Sequence, residues 1–200
     1  MKNILCRQLP DWVEISGNCW PIYSDFRDWL SFAELLEDTQ LNPSQKAAGM
    51  LRWYREDVPT QKEHAIQGLL DFYSMRSTRQ DFLHPKGNRS INPSLNETGG
   101  REVFDYGYDA GFIYAAFRQC YDINLLTIDS LHWWEFRWLL DALPEECALI
   151  KRISLRSIDL SKIRDRRERA RIRKLQRAVA LPKVLSDQEI GQVFGRDLFE

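Results

Sequence analysis

The segment Leu131-His132-Trp133-Trp134-Glu135-Phe136-Arg137-Trp138-Leu139-Leu140 indicates the fold class of this 200-residue chain. Its large apolar side chains recur at three- and four-residue spacing, which is typical of an α-helix. At about 100° per residue, Trp134 and Trp138 lie on a different face from Trp133, so apolar groups cover more than half of the circumference. We therefore predict a helix from about Asp129 to Leu143 that is buried on several sides.

The aromatic content of this segment has two interpretations. Core packing is the favoured one, because large aromatic side chains bury much surface. The surplus aromatic face is nevertheless the best candidate for a hydrophobic docking surface, since exposed aromatic residues often anchor interfaces. The candidate partner-binding residues in this segment are Trp133, Trp134 and Trp138.

A strongly basic helix is predicted further along the chain, from Ser161 to Val179. Residues 161–177 contain nine Lys or Arg and two acidic residues, a net charge of +7. The total charge is −1, so the other 183 residues sum to −8. Such an uneven distribution indicates either internal charge pairing or an anionic partner. The candidate partner-binding residues of the basic helix are Arg164, Arg167, Arg171 and Lys174.

Three interpretations of the basic helix remain open. It is a solvated face that pairs with the acidic remainder of the chain, a docking surface for a protein partner, or a phosphate-binding element that follows a nucleic-acid backbone. Ile172, Leu175 and Val179 recur at helical spacing, so one edge is expected to be packed. Nucleic acid is the least favoured partner, because the segment lacks interleaved aromatic residues and the whole chain is nearly neutral.

The rest of the pattern predicts a mainly α protein with an N-terminal β-hairpin, followed by a bundle of about seven to eight helices in two halves. Alternation in Trp12–Ile15, turn residues Gly17-Asn18 and the returning strand 19–23 predict the hairpin. Helix starts are predicted at Ser24-Asp25, at Asn42-Pro43 and at Thr60. Later helices are expected around 112–120, from Glu145 to about Ile158, and from Ser186 to Phe199.

Loop-forming residues without periodicity fill residues 76–101, which we predict to be a linker or long mobile loop. This divides the chain into an N-terminal hairpin with helices, residues 1–75, and a C-terminal helical region, residues 102–200. Alternatively, the two parts form one composite domain.

Several function classes lack the necessary residue patterns. The histidines are far apart and no phosphate-binding or nucleophile motif is present, so we expect no catalytic site, no metal site and no cofactor. No apolar run is long enough to cross a bilayer, and the first ten residues do not resemble a signal peptide. We expect all four cysteines to be reduced and buried in a cytosolic protein.

Several motifs together resemble the gp-fifteen family of bacteriophage proteins. The first half contributes one, and the second half contributes the others, which cover most of the chain outside the linker and the last fifteen or so residues. They read PIYSDFRDWL (21–30), YDA (108–110), IYAAF (113–117), YDINL (121–125), LHWWEF (131–136), LLDALP (139–144), IDLSKI (158–163), ERAR (168–171), RKL (173–175) and ALP (180–182).

The resemblance implies a protein of tailed phages or prophages that is encoded in the tail-gene region, just before the tape-measure protein. It further implies a tail assembly chaperone, which binds the tape-measure protein in the cytoplasm of the bacterial host, with tail tube protein as a further candidate partner. The alternatives are a nucleic-acid-binding accessory protein acting through residues 161–179 and a structural component of the tail. Binding of another macromolecule, without catalysis, is the expected activity in every case.

Overall fold

The computed structural model describes residues 8–76 and 103–182, beginning with an antiparallel hairpin. Strand β1 (Trp12–Ile15) pairs with β2 (Asn18–Pro21). Ser16 and Gly17 between them have φ values of 52° and 82°, as the two central residues of a type I′ turn require. Pro21 occupies the end of the ladder, where its missing N–H is tolerated.

Seven α-helices follow in the described residues, together with two short 3₁₀ turns at Leu51–Trp53 and Leu160–Lys162. The prediction of a mainly helical protein with an N-terminal hairpin is confirmed. The α-helices are α1 (Phe26–Glu37), α2 (Pro43–Met50), α3 (Lys62–Tyr73), α4 (Ala110–Tyr121), α5 (Trp133–Asp141), α6 (Ala148–Ser157) and α7 (Arg166–Val179).

Two predicted helix starts are correct, and the side chains explain them. Asp25 accepts a hydrogen bond from the backbone N–H of Arg27 at the start of α1. At the start of α2, Asn42 and Gln45 form a reciprocal capping box and Pro43 occupies the first helical position. Each arrangement satisfies backbone N–H groups that a helix end otherwise leaves without partners.

Three predicted helix boundaries are wrong. Helix α3 is preceded by Gln61 rather than capped by the Thr60 side chain, because the first α-helical hydrogen bond runs to the Gln61 carbonyl. Helix α5 begins at Trp133 instead of Asp129, since the backbone just before it pairs with residues 24–26. The basic segment splits into a 3₁₀ turn and α7, which begins only at Arg166.

One hydrophobic core contains residues from both sides of the 77–102 segment. Phe26 of α1 stacks on Phe136 of α5 with ring centroids 5.0 Å apart, and Trp133 stacks on Tyr73 of α3 at 5.4 Å. The hairpin covers α3, where Gly68 leaves space for the Val13 and Ile15 side chains. The aromatic residues of α5 therefore join the two parts of the chain.

Other predictions fall partly outside the described residues. The predicted linker lies there except for Arg76, and so does the helix predicted from Ser186 to Phe199. Cys147 is buried, as predicted for the cysteines, but Cys19 and Cys120 are exposed. Cys19 lies in an exposed part of β2 and Cys120 in an exposed stretch at the end of α4, so the prediction that all the cysteines are buried is wrong for these two.

The conformation of the hairpin turn can be tested with two Gly→Ala substitutions that should change the free energy of unfolding in opposite directions. Replacing Gly17 with Ala is expected to reduce the free energy of unfolding by about 1 kcal/mol, because an L-residue is strained at positive φ. Gly111→Ala in α4 is expected to increase it by about 1 kcal/mol, because alanine favours a helix. Neither added Cβ has a neighbouring heavy atom within 4 Å, so clashes play no part. Urea denaturation measures both effects, and equal signs would contradict the turn conformation.

Candidate protein-binding surface

Two of the three tryptophans predicted to contact a partner lie in the core. Trp133 is 0% exposed and Trp134 is 3% exposed. The Trp133 indole N–H donates to the Tyr73 carbonyl at 3.0 Å, and that of Trp134 donates to the Phe72 carbonyl at 2.9 Å. Their interpretation as docking residues is therefore corrected, because both the ring surfaces and the polar N–H groups are already used inside the protein.

The third tryptophan, Trp138, is only partly buried and packs against the edge of the core. The preceding residue, Arg137, places its guanidinium carbon over the Trp133 ring, 5.4 Å from the ring centroid. Burial raises the pKa of the Asp141 carboxyl, and Arg137 acts in the opposite direction. Burial likewise raises the pKa of the Tyr106 hydroxyl. This end of α5 is thus a packed polar edge of the core.

Helix α7 contacts the rest of the protein along one narrow edge. Ile172 and Gln176 are its buried residues, and they face α6. The Gln176 amide donates to the carbonyls of Leu155 at 3.0 Å and Ile158 at 2.8 Å, near the end of α6. At its beginning, the Asp165 side chain accepts from the backbone N–H of Glu168 at 2.8 Å. Most of the helix circumference is consequently left in solvent.

A buried ion pair fixes the C-terminal end of α7 to the core. Arg156 of α6 is 2% exposed and Asp109 at the start of α4 is 0% exposed. Two guanidinium nitrogens donate to the two carboxylate oxygens, at 2.6 and 2.9 Å. The same guanidinium donates to the carbonyls of Val103 and of Val179, the last residue of α7. One side chain therefore joins α4, α6, α7 and the segment that begins at residue 103.

Arg152 completes this buried group from one turn earlier in α6. Its Nε lies 3.9 Å from the Asp109 carboxylate, and its guanidinium carbon lies 4.1 Å above the Phe112 ring centroid. The guanidinium groups of Arg152 and Arg156 thus both face the Asp109 carboxylate. Backbone carbonyl oxygens next to Arg156 and the Phe112 ring next to Arg152 stabilise the positive charge that this one carboxylate does not neutralise. The arrangement is suited to holding α7 in a fixed position.

The predicted cationic residues are all exposed, although they do not all lie on one helix. Arg167, Arg171 and Lys174 lie on α7, whereas Arg164 precedes it. Glu168 accepts two hydrogen bonds from Arg171, at 2.8 and 2.7 Å, and these bonds lower the pKa of the Glu168 carboxyl. The structure therefore leaves Arg167 and Lys174 as the predicted α7 cations without a carboxylate partner in the described residues.

Charge is strongly separated between α7 and the described remainder of the protein. Residues 8–76 carry eleven acidic and six basic residues, and residues 103–160 carry nine acidic and five basic ones. These two parts therefore have net charges of −5 and −4, whereas residues 161–182 have +7. The exposed face of α7 is a basic surface attached to an acidic body.

Two other kinds of feature are absent from the described residues. Within residues 8–76 and 103–182, no three His, Cys, Asp or Glu side chains converge to hold a metal ion. No helix in these ranges is both long enough and apolar enough to span a membrane.

His132 caps the start of helix α5 with its imidazole ring. Its Nδ1 accepts from the backbone N–H of Trp134 at 3.1 Å, and its Nε2 donates to the Pro10 carbonyl at 3.0 Å. Burial lowers the pKa of the imidazole, while the Pro10 carbonyl and the Asp11 and Asp25 carboxylates act in the opposite direction. The neutral ring is thus the one that caps α5.

The lowered pKa predicts acid sensitivity. The folded state binds the His132 proton less well than the unfolded state, so its stabilising contribution is complete above about pH 6.5 and is lost as the pH falls through the lowered folded pKa. The urea midpoint should therefore fall between about pH 7.5 and pH 5. His132→Asn keeps a capping oxygen and should show a smaller fall, whereas His64→Gln at an exposed position should match the wild type. An unchanged fall in His132→Asn would contradict this role.

A scan against family models places these features in a known group. The model described as Bacteriophage Gp15 protein matches residues 5–181. The chain belongs to this family. The match spans the hairpin, all seven described α-helices and the basic surface of α7. Neither a curated protein nor a solved structure matches the chain.

Sequence reasoning missed the residues that position α7 in this Gp15 family member. A signal was present, because Arg156 falls on the apolar stripe of α6 formed with Leu149 and Ile153. A charged residue at such a position requires a buried partner. Asp109 was the available acid before the apolar helix α4, but only the three-dimensional arrangement identifies it as that partner.

Proposed function

We propose that this Gp15 family protein is a tail assembly chaperone that binds the tape-measure protein during phage tail formation, with tail tube protein as a further candidate partner. It acts by binding, without a cofactor or a catalytic step, in the cytoplasm of the bacterial host. The exposed cationic face of α7, held on an acidic body by the Asp109–Arg156 pair, is the observation that carries the proposal. Family membership supports the phage context.

The surface has the properties that a binding partner of a long helical chain needs. Hydrogen bonds from Arg156 and from Gln176 attach α7 to α6, and its cations extend into solvent. Changes in its charged residues can therefore alter the affinity for an acidic segment without burying much apolar area. A chaperone must also release its substrate, which favours exposed ion pairs because each of them contributes only about 0.2–1 kcal/mol.

Co-expression with the tape-measure protein of the same phage tests the proposal. The tape-measure chain should become more soluble and should co-purify with this protein, and deletion of the gene should prevent normal tails from forming. If the two chains neither co-purify nor affect each other's solubility, the proposal fails.

Mass spectrometry of purified virions separates a chaperone from a structural component. A chaperone should be absent from finished particles, whereas a tail component should be present in stoichiometric amounts. Stoichiometric amounts of the protein in virions would contradict the chaperone hypothesis and indicate a structural component of the tail.

A further inference from the structure

The exposed face of α7 has a central ridge in which cations alternate with alanines. Arg166, Ala170, Lys174 and Ala178 follow one another at four-residue spacing, and all four are exposed. Ala170 and Ala178 have only a methyl side chain, so the ridge projects less at these two points. They lie about 12 Å apart along the helix axis at 1.5 Å per residue. The face is therefore not a uniform row of long cationic side chains.

Neighbouring ridges supply cations on both sides of the two alanines. Arg173 and Arg177 are exposed on one side, and Arg167 and Arg171 are exposed on the other. Next to Arg171 on its ridge, Leu175 is 40% exposed and offers an apolar contact at the edge of the face. Small residues allow a second helix to approach closely, and the flanking arginines can then meet carboxylates on both sides of it.

We propose that this face of α7 binds an acidic amphipathic helix of another protein. The bound helix lies along the central ridge near Ala170 and Ala178, and its carboxylates pair with the flanking cations. This inference rests on the proposed function and deepens it, because it defines the chemistry of the segment that a tape-measure chain must present. The segment carries acidic residues at three- or four-residue spacing over about 14 residues, matching the length of α7.

The charge distribution favours a short acidic helix over a nucleic acid. Helix α7 is about 20 Å long, so a duplex lying along it would extend beyond the basic surface. The described body outside residues 161–182 carries a net charge of −9 and would repel the phosphates of that extension. Glu168 lies at the edge of the basic face and forms an ion pair with Arg171. This pair reduces the positive charge available to bind a row of phosphates.

A second copy of this chain is a weaker candidate for the occupant. Among the α-helices in residues 8–76 and 103–182, none presents acidic residues on three successive turns of an exposed face. Helix α1 comes nearest with exposed Glu34 and Glu37, which cover a single turn. The complementary helix is therefore sought in a different protein.

Synthetic helical peptides test the inference with the full-length protein. The probe is a labelled peptide of about 20 residues made of Glu, Ala and Leu, with glutamates at four-residue spacing, and its partner has Gln at every Glu position. Fluorescence anisotropy should show that the Glu peptide binds at least about tenfold more tightly than the Gln peptide, and that added salt weakens it. Equal binding of the two peptides would overturn the inference.

Two variants test where and how the peptide binds. Arg167→Glu/Lys174→Glu should weaken binding of the Glu peptide at least about tenfold, because two attractions become repulsions. The control Arg55→Glu/Arg118→Glu makes the same charge change at exposed positions outside α7 and should leave binding within about twofold. Ala170→Tyr keeps every charge but raises the ridge, and it should weaken the peptide about fivefold or more by preventing close approach. No effect of Ala170→Tyr would overturn the helical mode of binding.

Two further outcomes would replace the proposed occupant. Tighter binding of a DNA duplex of about 20 base pairs than of the Glu peptide would identify a nucleic-acid surface. Self-association of the wild-type protein that is lost in Arg167→Glu/Lys174→Glu would identify a second copy.

The two proposals fail in distinguishable ways. If the tape-measure chain co-purifies equally with wild type and Arg167→Glu/Lys174→Glu, the proposed function stands and the α7 inference fails. If the Glu peptide binds as described but the tape-measure chain does not, α7 takes an acidic helix from a different partner and the proposed function fails.

Discussion

Replacing Arg156 with Met is expected to lower the free energy of unfolding by about 3–5 kcal/mol, because it leaves a buried carboxylate without its main partner. Asp109 is 0% exposed, and the nearest remaining cation is the Arg152 side chain at 3.9 Å. The substitution also removes the hydrogen bonds to the carbonyls of Val103 and Val179. Urea denaturation followed by tryptophan fluorescence measures the loss, and trypsin should cleave α7 faster because its end is released.

The matched control removes an arginine from an exposed pair. Arg118→Met breaks the ion pair with Asp122 in the last turn of α4, where the side chains are 44% and 92% exposed. Its effect should be within about 0.5 kcal/mol. The double variant Asp109→Asn/Arg156→Met should recover part of the stability, since no buried charge remains. Similar losses in Arg156→Met and Arg118→Met would contradict the buried position of the pair.

Replacing Trp133 with Ala should have an effect of comparable size, about 3–5 kcal/mol, from lost packing and the cavity left behind. The ring is fully buried and stacks on Tyr73 and Phe136. Its removal also leaves the Tyr73 carbonyl without the indole donor. Thermal or urea unfolding checks this prediction.

Trp138→Ala is the control on the same helix, because Trp138 is only partly buried. It should cost clearly less stability than Trp133→Ala. The comparison also tests the corrected interpretation of the aromatic segment. A Trp133→Ala protein that kept its stability but lost partner binding would indicate a docking residue and contradict the core assignment.

Local sequence signals predicted the elements whose residues act on their own neighbours. Gly17 provides the positive φ that the hairpin turn needs, and Asn42-Pro43 caps α2 by contacts within four residues. The periodicity of Trp133, Phe136 and Leu140 correctly indicated a helix packed on several sides. These features depend on short-range geometry, which a single sequence contains.

The features that the sequence did not reveal depend on distant residues. Helix α5 starts at Trp133 because the backbone of Leu131 pairs with Asp25 and Phe26, more than one hundred residues earlier. The Asp109–Arg156 pair joins residues 47 positions apart. Periodicity identified the aromatic face of α5 but not what covers it, and α3 supplies that cover through Phe72 and Tyr73.

The basic segment was predicted only in part. Its positive charge and its apolar edge were predicted from the sequence. The structure buries Ile172 against α6, in agreement with the helical spacing of Ile172, Leu175 and Val179. The break before Arg166 was not predicted, although the contacts around it are local: the Asp159 side chain accepts from the Ser161 N–H, and the Arg169 side chain donates to the Ile163 carbonyl. This break removes Lys162 and Arg164 from α7 and limits the basic face to the residues of one short helix.

Co-purification of the tape-measure protein with α7 variants tests the central claim most directly. Wild type and the control Arg55→Glu/Arg118→Glu should each retain the co-expressed tape-measure chain, and Arg167→Glu/Lys174→Glu should lose at least about nine-tenths of it, in line with a tenfold weaker complex. All three proteins should show the same circular dichroism, and the urea midpoints of the variants should correspond to losses within about 1 kcal/mol, because the control also breaks the exposed Arg55–Asp11 and Arg118–Asp122 pairs. Full retention by Arg167→Glu/Lys174→Glu would contradict binding through α7, and no retention by the wild type would contradict the proposed function itself.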